Sequence, residues 1–267
     1  MKKALAISLL TTALSVPALS MAHDFWLLPS STVLSGQDSW VTVDGATGND
    51  KFHFNHHPLR LTNLVITAPD GKAVEPKNVH AGELRSTFDV QLPQAGTYRI
   101  AVVNDGVMAL WKENGENRRW VGNAAELAEK VPAKAEDLRI LQRASRAETF
   151  VTQGRPTPID APESGLGLHP LTHPNDLFAG EKAVFIVTLD GQPAPDIEVE
   201  LVPGGQRYRN QVNQITTTTN ENGEFEVTWP NAGQYWLHFE HRDQKTSVPQ
   251  AQSRNMTYAA TLEVLPE

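Results

Sequence analysis

The chain has 267 residues, no cysteine, and 23 Lys+Arg against 31 Asp+Glu, for a formal net charge of −8. That length accommodates two ordinary domains. The lack of thiols excludes disulfides, cysteine-ligated zinc or iron–sulfur centres and cysteine nucleophiles, and the acidic balance argues against a nucleic-acid partner. Any metal has to be held by nitrogen and oxygen.

Lys2 and Lys3, the apolar run from Ala4 to Leu14 and the Ser15-Val16-Pro17 bend read as a secretory signal peptide over residues 1–22. Ser20 and Ala22 at the −3 and −1 places put the cut before His23, which predicts a periplasmic protein. Losing two lysines with the leader takes the formal charge to −10. Beyond it no apolar run approaches the ~20 residues a membrane helix needs, so the mature chain is not expected to span a membrane.

A mature chain that begins with His23 has unusual chemistry. Its α-amine and ring Nδ1 can close around one ion, and the amine, with a reference pKa of ~8, gives up its proton readily. One further imidazole makes a T-shaped three-nitrogen site suited to tetragonal Cu(II) or Ni(II). Asp24 is placed to support a ligand imidazole by hydrogen bonding.

From His23 to residue 107 short alternating runs are split by turn residues, as at Ser39–Val43, Leu64–Thr67, Ser86–Val90 and Thr97–Val102, which predicts an antiparallel sandwich. Within it, Lys51 to Pro58 holds His53, His56 and His57. If residues 51–55 are extended, Phe52 and Phe54 share one face and His53 and Asn55 the other. His56 and His57 then sit at a bend before Pro58, where irregular backbone can aim imidazoles at His23. These three, with His23, are the candidate metal ligands. His80, in an expected loop, and His169, His173, His238 and His241 are read as structural or solvent-facing.

Alternation fails over residues 108–154. A helix is expected from Asn123 to Lys130, and a second from Lys134 to Arg146 on the spacing of Leu138, Leu141 and Ala144. Ala147 to Gln153 reads as a strand returning to the first sandwich. Residues 155–167, rich in Pro and Gly, read as a linker. From 168 to 267 about seven further strands predict a second sandwich. Its Pro230-Asn231-Ala232-Gly233-Gln234-Tyr235 repeats Pro93-Gln94-Ala95-Gly96-Thr97-Tyr98, so two copies of one architecture are expected. The predicted fold is mainly β: two immunoglobulin-like or prealbumin-like antiparallel sandwiches with a short helical insert between them.

His23-Asp24-Phe25-Trp26-Leu27-Leu28-Pro29 after a leader, Leu171-Thr172-His173-Pro174-Asn175-Asp176-Leu177, and Asn220-Glu221-Asn222-Gly223-Glu224-Phe225 before Ala232-Gly233-Gln234-Tyr235-Trp236 resemble the DUF4198 family over nearly the whole mature chain. That resemblance implies an exported protein of the NikM-like kind associated with nickel or cobalt uptake, with a metal ion as ligand and a metal transporter of the inner or outer membrane as partner. It implies no established reaction.

No Gly-x-Ser-x-Gly, His-Glu-x-x-His or phosphate-binding glycine loop is present, and no catalytic residue is named. The leading expectation is a periplasmic binder of Ni, Co or Cu acting in metal uptake or delivery. Two others stand beside it. A histidine-braced copper oxidase would resemble the lytic polysaccharide monooxygenases, and a metal-independent envelope module would present sandwich loops to a partner.

Overall fold

The structure is a computed structural model that describes residues 24–267; the expected leader and His23 lie outside the described residues. Strands form where apolar and polar side chains alternate. In chain order these are β1 Asp24–Pro29, β2 Val33–Leu34, β3 Ser39–Gly48, β4 His57–Pro58, β5 Leu64–Thr67, β6 Lys77–Ala81, β7 Ser86–Leu92, β8 Gly96–Glu113 and β9 Glu116–Gly122. A 3-10 turn, Ala124–Glu126, leads into the helix α1 Leu127–Lys130. Then come β10 Glu136–Gln153, β11 Leu166–Pro170, β12 Lys182–Leu189, β13 Gln192–Pro193, β14 Glu198–Pro203, β15 Ile215–Thr218, β16 Glu224–Thr228, β17 Gly233–Asp243 and β18 Ser253–Val264. In β7 the inward residues Ser86, Phe88, Val90 and Leu92 alternate with outward Thr87, Asp89 and Gln91, the period of a half-covered sheet.

A nine-stranded sheet, ordered β15-β14-β17-β18-β10-β8-β5 with β2 and β9 off that path, runs through the whole molecule. The sheet β1-β3-β7-β6, with β4 on β3, lies across one face. Between them Leu27, Val43, Phe88 and Val90 meet Ile66, Tyr98, Ile100 and Val151 in the first core. The third sheet, β11-β12-β13 with β16, covers the other face. There Phe185, Val187 and Phe225 meet Phe150, Leu201, Leu237 and Tyr258 in the second core. Two β-sandwiches thus share one sheet, and β10 sends Val151 into one core and its neighbour Phe150 into the other.

The repeated Pro-x-Ala-Gly-x-Tyr phrase does the same mechanical job twice. Tyr98 donates its hydroxyl hydrogen to the Gln94 carbonyl at 3.0 Å, and Tyr235 donates to the Asn231 carbonyl at 2.9 Å. Gly96 and Gly233 precede them at φ 128° and 140°, a region that side-chain-bearing residues avoid. A tyrosine reaching back four residues at a strand entry is a feature of immunoglobulin-like sandwiches.

The first expected helix is present, with the Asn123 side chain accepting the Glu126 N–H at 3.1 Å. The second, Lys134 to Arg146, is corrected to the outer half of β10. Its spacing at Leu138, Leu141 and Ala144 competes with an equally good alternation that buries Ile140 and Gln142. Pairing on both edges, antiparallel to β8 and parallel to β18, decides for the strand.

The second sandwich is bolted to the first at the Thr172-His173-Pro174-Asn175 bend. His173 Nε2 lies 3.1 Å from the Thr157 carbonyl and 3.0 Å from the Thr97 hydroxyl, while Nδ1 accepts the Asn175 N–H at 3.1 Å. Asn175 accepts from Thr152 at 2.8 Å and donates to the Phe150 carbonyl at 2.9 Å. An Nδ1 that accepts and an Nε2–H that donates to a carbonyl require a neutral ring. Burial pushes the His173 pKa below its ordinary value of 6.5, against the raising effect of the Thr157 carbonyl. The unfolded chain then binds the extra proton, so this stabilisation is complete above pH 6.5 and is lost as pH falls through the folded pKa. Urea midpoints of the wild type and His173→Gln are expected to differ most above pH 6.5 and to converge as the pH falls below it.

Candidate functional site

The start of β1 and the loop from β3 to β4 occupy the same end of the first sandwich. Asp24 pairs with Gly48 and Phe25 with Thr47, and Thr47 pairs on its other side with His57. Two strand spacings, roughly 10 Å, therefore separate the backbone of His57 from that of Phe25. Gly48 permits the loop to fold back, since a Cβ there would stand 3.1 Å from the Trp26 ring and 3.2 Å from Asn55 Oδ1.

Residues 51–55 do not form an extended strand. Phe52 takes φ 62° and turns the chain, so the expected alternation of faces is replaced by a curl in which Phe52 and Phe54 both contact Trp26, with ring centroids 6.0 and 6.4 Å away. Trp26, Trp236, Val202, Ala46 and Ala259 form the apolar floor beneath them, joining the two sandwiches.

Lys51 stands over this floor. It is 8% exposed, donates to the Asp24 carboxylate and lies 4.4 Å above the Trp236 ring, while its backbone N–H donates to Gln206 Oε1 at 2.7 Å. An ammonium so desolvated needs both the carboxylate and the ring face to offset the loss of water. Trp236 in turn donates its Nε1–H to the Phe25 carbonyl at 2.9 Å, closing the outward edge of β1 with a group from the second sandwich. Its other neighbour is His238, stacked at 4.7 Å and 6°, whose Nδ1 is 3.8 Å from Glu200. The His238 imidazole holds the Glu200 carboxyl below its ordinary range against partial burial, with Lys51 adding to the effect.

His56 and His57 lie side by side, ring centroids 4.2 Å apart, His56 half-buried and His57 exposed. His53 points elsewhere. Its Nε2 is 2.8 Å from the Arg207 guanidinium, which only donates, so that lone pair is taken. Asp24 is engaged by Lys51. Among the described residues no three His, Cys, Asp or Glu groups are gathered closely enough to hold an ion, and His23 lies outside them. His80 is exposed on β6, and His173 is the bolt described above.

Sequence reasoning missed Lys51, Trp236, His238, Glu200 and Arg207. Alternation along β17 does put Trp236 and His238 on one face, and that signal was available. The contact of Arg207 with His53 spans 154 positions and had none.

Replacing Trp236 with Phe keeps most of the ring but orphans the Phe25 carbonyl. The expected cost is about 1–3 kcal/mol in chemical denaturation, with faster hydrogen exchange at Thr47 and the other partners of β1.

A family model described as a domain of unknown function, DUF4198, matches residues 20–243. No curated protein matches the chain. Among solved structures, the D0-D1 domain of intimin aligns at 11% identity and a TM-score of 0.24, covering 91% of this chain and 98% of that one. A DUF4785 family protein from Legionella pneumophila aligns at 9% identity and 0.25, covering 80% and 50%. Likenesses this weak carry no argument, and the sandwich description rests on the sheets and cores themselves.

Proposed function

The chain belongs to the DUF4198 family, and from that premise we propose that it is an exported, periplasmic protein that binds a divalent transition metal through a mature N-terminal His23 and the His56–His57 pair. The carrying observation is the Asp24–Lys51 ion pair, reinforced by the packing of Gly48 against Asn55. It fastens the residue after His23 to the very loop that bears the other imidazoles. Cleavage before His23 would create the chelating amine there.

The donor chemistry fits an ion that favours nitrogen. The two adjacent rings are imidazoles, the chain has no thiol, and the nearby carboxylate of Asp24 is neutralised by Lys51. Nitrogen-rich sites suit Cu(II) and Ni(II), with Co(II) weaker by intrinsic affinity. His53 would join only by giving up Arg207. The NikM-like resemblance supports nickel or cobalt and a role in uptake or delivery to a membrane transporter.

Two measurements test this. Intact mass of the exported protein is expected to place His23 first. Titration with Cu(II), Ni(II) and Co(II) is expected to give one tight site, weakened more than about 10-fold by His23→Ala and by His56→Ala/His57→Ala. Equal affinity across these variants would reject the site.

A further inference from the structure

The outer ends of β8, β9 and β10 form an arm whose two faces differ in character. On one, Val107, Ala109 and Ile140 pack with Trp111 and Trp120 beneath Leu127 and Val248, a third small core. On the other, Met108 pairs with both Val121 and Leu141, and Leu110 pairs with both Arg119 and Arg139. Directly paired residues project to the same side of a sheet, so these six side chains share one surface. Val121 is 51% exposed, and Met108, Leu110 and Leu141 are incompletely covered.

The same surface continues onto β18 and β17. Arg143 pairs with Asn255, which pairs with Arg242. Among the described residues none of Arg119, Arg139, Arg143 and Arg242 has an ion-pair partner. This is not for want of acids on the arm: Arg118 bonds Glu113 and Glu116, and Lys112 bonds Asp137. Partial desolvation and the charge of Arg119 lower the Arg143 pKa, so these like charges feel one another. The Asn255 Oδ1 between Arg143 and Arg242 is buried without a partner. Glu240 stands at the rim, two residues along β17 from Arg242. In a chain of net charge −8, an apolar patch framed by unpaired guanidiniums is unfavourable when bare and is complementary to something acidic.

We propose that this face docks an acidic segment of a partner protein. The segment's apolar side chains would rest on Met108, Leu110 and Leu141 and its carboxylates would be taken in fork geometry by Arg119, Arg139 and Arg143. A membrane surface fits less well: both tryptophans of the arm, the side chains suited to a lipid–water boundary, are turned into the opposite core. The inference is independent of the metal site.

The test uses the full chain and a peptide of about twelve residues alternating Glu and Val, with the Lys/Val peptide and phosphatidylglycerol vesicles in parallel. The acidic peptide is expected to bind, to weaken as salt rises from about 0.05 to 0.3 M, and to lose at least about 10-fold in affinity in R119E/R143E. Arg118→Glu, on the opposite face, is expected to bind as the wild type does. Unchanged thermal unfolding shows that both variants are folded. No binding of the acidic peptide, equal binding of the Lys/Val peptide, equal binding by R119E/R143E, or vesicle binding in place of peptide binding would each overturn the proposal.

Discussion

The parallel pairing of β10 with β18, from Leu141 opposite Ser253 to Thr149 opposite Thr261, is the constraint on which the rest of the molecule depends. It merges what would be two separate sheets into one that serves both sandwiches. Sheet residues alternate between faces, so a strand in this position is covered on both, and β10 from Ala147 to Gln153 is buried without interruption. Parallel pairing also brings together segments more than 100 positions apart, at a closure cost that only the combined burial of two cores offsets.

Within that shared strand lies one buried charge that apolar packing alone does not explain. Glu148 is 0% exposed, lies 3.0 Å from Arg99 and 3.2 Å from Arg146, and accepts the Tyr258 hydroxyl hydrogen. Burial and the Glu148 charge push the Tyr258 pKa well up, which keeps the phenol protonated as a donor. A buried charge satisfied three ways contributes little net stability against an apolar alternative, but it penalises any other register of β10 against β18, because a shift would strand it.

The same fixed geometry creates the junction at which Asp24, Lys51 and Trp236 meet. β1 is an edge strand of its own sheet, yet its Phe25 carbonyl is met by the indole of the second sandwich, and the loop carrying the three histidines is held between the two. A flexible linkage would leave that loop free to move, whereas the shared sheet fixes where its side chains stand. The arginine face on the arm follows from the same strand. β10 extends beyond both sandwiches, so its outer half has one side covered by α1 and the 244–252 loop and the other without a covering sheet.

Much was legible locally. The two-residue period marked the strands, the duplicated Pro-x-Ala-Gly-x-Tyr phrase marked two equivalent corners, and Asn123 marked a helix start. The failures have physical causes. Residues 134–146 fit two periods, and only neighbours on both edges selected the strand. Phe52 takes a left-handed conformation in the turn closed by the His53 N–H on the Asp50 carbonyl, and its ring packs on Trp26 and close to Gly204, contacts that no local pattern announces. The sequence by itself determined most of the strands and the first helix, the absence of thiol chemistry and the clustering of His53, His56 and His57. Tertiary structure alone decided that His53 faces Arg207, that Asp24 faces Lys51, and that four arginines from β9, β10 and β17 share a face. Partners that far apart in the chain are chosen by sheet register and packing, and no local pattern encodes those.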